Sequence, residues 1–229
     1  MFLNFSSAQV NKLWYNTCIM KLKDIYSSDK TVLSYEIFPP KNDETGEKTE
    51  KLYTEVDKLN KFSPALISVT YGAGGSNKDH SLSIAVAGYP ECHIEAPDLQ
   101  TDIKNLKLKI NAGADVIFTQ MFFDNSKFFK YIELLDKENI NIPVCAGILP
   151  ILSYQQLDKM LSLANVSVPK KLMENLERFK DNKDDVKKLG IDFATEQCAE
   201  LIENGVKGLH FFTLNKAYST TAILKRSEE

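Results

Sequence analysis

The stretch Ser34-Tyr35-Glu36-Ile37-Phe38-Pro39-Pro40 decides how the first part of this chain folds. The run from Thr31 to Phe38 is rich in β-branched and aromatic residues, which favours a strand. Pro39 and Pro40 have no backbone N–H group, so the strand is expected to end there. Glu36 then lies near the carboxyl end of the strand, where parallel α/β proteins build their active sites. The alternative is an edge strand on which Glu36 faces solvent.

The residues that follow repeat a strand, helix, strand order. Residues 47–62 carry Leu52, Val56 and Leu59 at helical spacing, and the nearly continuous apolar run 65–71 is typical of a strand buried on both faces. This order indicates a parallel sheet. The same patterns predict further strands at 83–89, 116–123, 143–151 and 208–214, and helices at 102–112, 126–138, 154–164, 170–178 and 186–203.

Six predicted strands indicate an α/β protein of the (β/α) TIM-barrel type, which normally has eight strands. The connection between the second strand and the third is too short, because a parallel crossover needs about a dozen residues and residues 79–82 cannot contain a helix. Either those two strands are antiparallel, or two of the eight βα units are absent after Leu82. The sequence predicts a single barrel domain over 20–229. Residues 1–19 are an N-terminal extension, which is either a genuine helix or an appended segment.

Composition and charge exclude several classes of protein. The 229 residues carry 28 Lys and Arg against 31 Asp and Glu, a formal charge of −3, which favours neither a nucleic-acid nor a membrane partner. No apolar run reaches the roughly 20 residues that span a bilayer. The four cysteines and three histidines are dispersed without the spacing of metal ligands, so no metal is expected. Dispersed cysteines fit a reducing cytoplasm, and we expect a cytoplasmic protein.

Six blocks of sequence, each at the end of a predicted strand, carry a resemblance to a known family. They are YEIFPPK at 35–41, SVTYGA at 68–73, AGYPE at 87–91, TQMFFD at 119–124, GILP at 147–150 and FFTLN at 211–215. In this order they resemble bacterial, flavin-dependent methylenetetrahydrofolate reductases over most of the chain. The resemblance implies a flavoprotein barrel in which NAD(P)H reduces FAD. The reduced flavin then converts 5,10-methylenetetrahydrofolate to 5-methyltetrahydrofolate.

The resemblance also assigns roles to individual residues. Glu36 matches the general acid that protonates the folate as its five-membered ring opens, and a carboxyl group among apolar strand residues tends to have a raised pKa. Leu108 stands where the family commonly has Arg, so one phosphate contact is lost unless Lys104 or Lys107 replaces it. Lys216 also replaces an Arg, so a bidentate contact with a carboxylate becomes a contact with a single point charge. The matched cofactor-binding residues are Thr70, Tyr71, Ala73, Tyr89, His93, Ala96, Asp102, Asn105 and Lys109, and the matched substrate-binding residues are Gln120, Gln156 and Lys216.

The two family units that would follow Leu82 carry HLTC-like and LRGD-like strands, whose residues contact flavin and folate. Neither motif occurs in this chain. Three explanations of the gap compete. They are an internal deletion, an artefactual join of two coding segments, and a sequence written without a disordered segment. The gap favours an alternative function, a catalytically impaired or non-catalytic barrel fragment that binds a partner. A pterin-binding methyltransferase barrel without flavin is a third hypothesis, and a homo-oligomer or an electron-transfer partner stays open.

Overall fold

The computed structural model describes residues 22–27, 30–38, 40, 43, 45–69 and 85–227. Strands and helices alternate along most of these ranges. The strands are β1 (Val32–Ile37), β2 (Leu66–Val69), β3 (Ala85–Gly88), β4 (Val116–Met121), β5 (Val144–Ile148) and β6 (Gly208–Phe212). The helices are α1 (Leu22–Ile25), α2 (Glu47–Asn60), α3 (Leu99–Asn111), α4 (Asn125–Lys137), α5 (Tyr154–Leu163), α6 (Lys170–Phe179), α7 (Lys183–Glu203) and α8 (Ala217–Ser227).

The six described strands form one sheet in the order β2-β1-β6-β5-β4-β3, and each of these neighbouring pairs is parallel. The first and last strands, β1 and β6, are neighbours, as they are in a TIM-type barrel. β2 and β3 form the two edges, at the place where an eight-stranded barrel has two more strands. The predicted TIM-type fold lacking two βα units is therefore confirmed. The antiparallel alternative is wrong, because β2 and β3 lie at opposite edges.

The sheet has a helix-covered face and a concave face. Tyr35, Leu209 and Phe211 pack with helix residues such as Leu201 and Ile223 in the largest hydrophobic core. Because side chains alternate along a strand, Ser34 and Glu36 lie on the opposite, concave face. His210 is the ladder partner of Ser34 and shares that face.

Helix α1 closes the amino end of the concave face. Tyr26, which is fully buried just after this helix, meets the Phe118 ring edge-on at a centroid distance of 6.0 Å. It packs with Val116 and Cys145 in a small apolar cluster. Gly208 leaves room for the ring, since a Cβ at this position would lie 2.7 Å from Tyr26 Cε1. Among the described residues, this apolar cluster therefore fills the amino end of the concave face.

Two helices begin earlier than the sequence pattern predicts because polar side chains cap them. α3 begins at Leu99, where Asp98 Oδ1 accepts the Thr101 N–H at 2.7 Å. α7 begins at Lys183, behind the capping side chain of Asn182. The last helix, α8, was not predicted. Over the described part of the chain, no helix combines the length and apolarity needed to cross a membrane.

We expect Gly208→Ala to lower the free energy of unfolding by about 1–3 kcal/mol, because the added methyl group must displace the buried Tyr26 ring. Urea denaturation measures the change. Lys207→Ala, at the exposed neighbouring position, is the control and should stay within about 0.5 kcal/mol of the wild type. Equal stability of the two variants would show that the ring does not need this space.

Candidate functional site

The described residues form two clefts at the carboxyl end of the sheet. The first cleft lies where β3 and β4 end, and the second cleft lies where β5 and β6 end. The first cleft is lined by residues that include Tyr89, Glu91, His93, Ile94, Gln120, Met121, Leu163 and Val166. The second cleft is lined by Leu152, Ser153, Gln155, Gln156, Lys183, Leu214 and Lys216.

One wall of the first cleft is the loop 89–98, which Asp102 holds in place. Asp102 is buried, and its Oδ2 accepts the His93 N–H at 3.0 Å. The His93 ring lies edge-on to Tyr89, with the ring centroids 4.5 Å apart. Burial, with the nearby carboxylates of Asp102 and Glu95, raises the pKa of the Tyr89 hydroxyl. Tyr89 therefore keeps its proton at neutral pH and can serve as a hydrogen-bond donor.

The predicted cofactor residues of α3 share one side of that helix. Asp102, Asn105 and Lys109 follow one another at spacings of three and four residues, so they form a stripe that begins beside the loop. Asn105 and Lys109 are exposed, whereas Ala96 is half-buried and its N–H donates to the His93 carbonyl at 2.9 Å. The structure thus places one amide and one ammonium group on the exposed side of α3, the helix that begins after the loop 89–98.

Leu108 places an exposed apolar side chain next to this stripe. It is 68% exposed, where the resemblance predicted an Arg. Lys107 does not replace the missing cation, because its Nζ donates to the Glu138 carbonyl at 2.8 Å, at the end of α4. The same ammonium group pairs with the Glu138 carboxylate at 3.4 Å.

Gln120 reaches the first cleft at an irregularity in β4. The β4–β5 register shifts between Phe118 and Met121, so β4 carries one extra residue there. Thr119 Oγ1 accepts the Gly147 N–H at 2.9 Å, and a Cβ on Gly147 would overlap the Thr119 carbonyl. Gln120 Oε1 itself accepts the Met121 N–H at 3.0 Å. The bulge thus breaks the strict alternation of β4 at the residue that resembles a folate ligand.

The second cleft brings together Gln156 and Lys216, two of the residues that the resemblance assigns to substrate binding. The Gln156 amide shapes the loop after β5, because its Oε1 accepts the Leu152 N–H at 3.0 Å and its Nε2 donates to the Pro150 carbonyl at 3.3 Å. Lys183 adds a second ammonium group that the sequence analysis missed. Among the described residues, neither lysine forms an ion pair. The capping residue before α7 was the signal that could have placed Lys183 at the start of this helix.

Glu36 lies at the carboxyl end of β1, between the two neighbouring strands. Its ladder partners are Ser68 on β2 and Phe212 on β6. The edge-strand alternative is therefore wrong, since β1 is an interior strand. Glu36 is half-buried, and its carbonyl oxygen accepts a hydrogen bond from Thr213 Oγ1 at 2.7 Å. Thr213 directly precedes Leu214, and Leu214 and Lys216 both line the second cleft. The hydrogen bond from Thr213 therefore links Glu36 to the segment beside that cleft.

His210 lies one layer closer to the amino end of the concave face than Glu36. Its Nδ1 is 2.8 Å from Ser34 Oγ, and its ring stacks on Phe118 at a centroid distance of 4.4 Å. His210 is 3% exposed, and burial lowers its pKa to about 4. It is neutral at physiological pH, so no positive charge lies below Glu36 at this position. The remaining predicted cofactor residues, Thr70, Tyr71 and Ala73, lie outside the described residues, as does the junction after Leu82.

Comparisons with known proteins point to one family. The family model "Methylenetetrahydrofolate reductase" matches residues 21–85 and 79–228. A 5,10-methylenetetrahydrofolate reductase of Buchnera aphidicola is 31% identical over 277 residues, which cover 89% of this chain and 94% of that protein. Methylenetetrahydrofolate reductase (NADH) 1 of Arabidopsis thaliana is 29% identical over 295 residues. That match covers 89% of this chain and 49% of the plant protein, so the chain spans about half the length of this relative.

A solved structure shares the fold. It is an uncharacterized protein from Clostridium thermocellum described as binding two copies of 5-methyl-5,6,7,8-tetrahydrofolic acid. Its TM-score is 0.60 at 15% sequence identity, and the superposition covers 87% of this chain and 95% of that one.

The parallel sheet and the clefts at its carboxyl end define a TIM-type α/β protein. The matches to the family model and to the Buchnera protein identify it further. The chain belongs to the methylenetetrahydrofolate reductase family, a family of oxidoreductases.

The comparisons also support the predicted gap. The two matches to the family model meet at residues 79–85, which include Leu82. The Buchnera alignment runs over 277 positions, more than the 229 residues of this chain. Some positions of that relative therefore have no counterpart here.

The buried His210 imidazole is expected to make folding stability depend on pH. Its pKa is about 4 in the folded chain against 6.5 for an ordinary histidine, so the unfolded chain takes up a proton first as the pH falls. The stabilisation is complete above the unfolded pKa and is lost as the pH falls from about 6.5 to about 4, a loss of about 3 kcal/mol. Urea unfolding at several pH values should show this loss in the wild type and not in His210→Gln. Identical pH dependence in both proteins would contradict the assignment.

Proposed function

We propose that this chain reduces 5,10-methylenetetrahydrofolate to 5-methyltetrahydrofolate with NAD(P)H through FAD. The observation that carries the proposal is that Glu36 and both clefts lie at the same, carboxyl end of a sheet whose family is the methylenetetrahydrofolate reductases. Its relatives carry the names of NADH-dependent and NADPH-dependent enzymes, which supports a nicotinamide co-substrate. The cysteines in the described ranges are free thiols, which fits a cytoplasmic enzyme.

The groups beside the first cleft fit FAD in their chemistry. The Tyr89 hydroxyl and the Asn105 amide are neutral hydrogen-bond groups for ribityl and ring atoms, and the Lys109 ammonium group is suited to a phosphate. When bound, FAD supplies the hydride carrier that links the two substrates. Asp102 acts indirectly, because its carboxylate holds the backbone of His93.

The folate is expected to lie between Gln120 and the second cleft. The Gln120 amide can both donate to and accept from a pterin edge. The ammonium groups of Lys183 and Lys216 suit the carboxylates of the glutamate tail, and Leu152 and Leu214 supply apolar surface next to them. Two point charges would then replace the bidentate grip of one arginine.

Glu36 is assigned the one proton transfer that the protein must perform. As the five-membered ring opens, the bond between the methylene carbon and one ring nitrogen breaks, and that nitrogen takes the proton of the Glu36 carboxyl group. The methylene carbon takes a hydride and becomes a methyl group. Neutral His210 supports this role, because a positive charge nearby would favour the ionised carboxylate.

The gap after Leu82 favours one second candidate, a partner-binding barrel fragment without catalysis. The observation behind it is that β2 and β3 are edges of the sheet. Intact mass and the visible spectrum of the purified protein separate the two candidates. A chain of the expected mass that binds FAD and oxidises NAD(P)H supports the reductase. A colourless chain that does neither with added FAD supports the fragment.

We expect Glu36→Gln to retain the reduction of flavin by NAD(P)H within about two-fold and to slow folate reduction by about 100-fold or more, because only the second step requires an acid. Stopped-flow absorbance of the flavin follows each half-reaction separately. Glu133→Gln on the exposed side of α4 is the matched control and should alter neither. Equal losses in both half-reactions would refute the acid role.

We expect Leu108→Arg to tighten FAD binding by about 3- to 10-fold, because it restores a cation beside Asn105 and Lys109 on the exposed side of α3. Fluorescence titration of the apoprotein measures the dissociation constant. Leu108→Gln is the control, because it removes the exposed apolar side chain without adding charge. If both variants bind FAD with the same affinity, the phosphate group is not near position 108.

A further inference from the structure

The contact between β1 and β6 continues past the last backbone ladder pair through two side chains. Thr213 Oγ1 donates to the Glu36 carbonyl at 2.7 Å. Asn215 Oδ1 accepts the Phe38 N–H at 2.8 Å, and Asn215 Nδ2 donates to the Phe38 carbonyl at 2.7 Å. The Asn215 N–H donates to Thr213 Oγ1 at 3.2 Å, which joins the two side chains. We call Thr213 and Asn215 the strand clamp.

The sequence after β1 explains why side chains are needed here. Pro39 and Pro40 offer no backbone N–H, so the ladder cannot continue past Phe38. A strand end without partners opens easily, and Glu36 is only two residues from that end. The side-chain amide of Asn215 offers Phe38 one donor and one acceptor, as a peptide group of a neighbouring strand would.

The backbone of the clamp is shaped for this contact. Leu214 and Asn215 have φ values of +48° and +61°, in the left-handed region that residues other than glycine rarely adopt. This turn reverses the chain directly after β6 and brings the Asn215 amide against Phe38. Thr213 is 2% exposed, so its hydroxyl group exchanges little with water.

We propose that Thr213 and Asn215 are positioning residues, which hold the end of β1 so that the Glu36 carboxyl group meets the folate nitrogen. The inference rests on the proposed function, in which Glu36 is the acid. The side-chain bonds from the clamp to this segment end on backbone atoms of Glu36 and Phe38, so we expect the clamp to act through the placement of Glu36. Its loss should therefore slow the folate half-reaction and spare the reduction of flavin by NAD(P)H, which needs no acid.

Each clamp residue has a variant that removes its bonds and a variant that keeps some or all of them. Thr213→Val keeps the shape and loses the hydroxyl group, whereas Thr213→Ser keeps the hydroxyl group. Asn215→Gly removes the amide and tolerates the left-handed backbone, whereas Asn215→Asp keeps the acceptor for the Phe38 N–H and loses the donor. Asn139→Gly is the matched control, because Asn139 is an exposed asparagine at φ +58° after α4.

Two measurements are made on each FAD-loaded protein. The first is the rate of each half-reaction by stopped flow. We expect Thr213→Val and Asn215→Gly to slow folate reduction about ten-fold or more and flavin reduction less than two-fold, because small misplacements of a reacting group are costly. Thr213→Ser should recover most of the folate rate, and Asn139→Gly should change neither rate.

The second measurement is hydrogen exchange of the Phe38 amide by NMR. Asn215→Gly should accelerate this exchange, and Asn215→Asp should not.

The outcomes separate this inference from the function on which it rests. If the wild type transfers no hydride to flavin or folate, the proposed function fails and the positioning role falls with it. If the wild type is active and the clamp variants slow both half-reactions equally, or neither, the positioning role is overturned and the proposed function stands. If Phe38 exchange becomes faster but the folate step is not selectively slowed, the clamp is a structural contact only. The positioning role is then overturned.

Discussion

The pairing of β1 with β6 is the constraint on which the rest of the structure depends. Five residues of β1, from Val32 to Glu36, pair in parallel with five residues of β6 that lie about three-quarters of the chain away. This ladder joins the two ends of the described chain and turns a series of βα units into one continuous sheet. β1 keeps a ladder partner on both sides, β2 and β6, even with two units absent, although β2 is itself an edge of the sheet.

The concave face is stabilised from its amino end by close packing. Tyr26 and Phe118 fill the interior near the start of the strands, and the stacked, neutral His210 forms the next layer. A buried polar pair such as Ser34 and His210 is tolerated because the two side chains satisfy each other. Because burial lowers the pKa of His210, its neutral ring adds no positive charge to the layer below Glu36. This agrees with the acid role that the proposed function assigns to Glu36.

Much of this arrangement follows from local sequence patterns, and the exceptions have physical causes. The run from Thr31 to Pro40 places Glu36 correctly, since β-branched residues and two prolines act locally. The start of α7 depends on one capping side chain, Asn182, rather than on apolar periodicity, and Lys183 was missed for that reason. The β4 bulge depends on the contact between Thr119 and Gly147 on different strands, which no periodicity within β4 encodes. The role of Asn215 likewise depends on a residue 177 positions away.

The absent units affect the two halves of the site differently. Glu36 is supported by β6 and by the residues directly after it, all of which belong to the continuous part of the sheet. Tyr89 and the loop that follows it extend from β3, a four-residue edge strand whose described ladder partner is β4 alone. Gly88 at the end of β3 packs directly against the Tyr131 hydroxyl and Ile117. β3 is itself an edge strand, whereas β1 lies between β2 and β6. In the proposed function, the gap therefore affects the flavin side more directly than the acid side. In the proposed function, we therefore expect the affinity for flavin, rather than the placement of Glu36, to limit what this chain can catalyse.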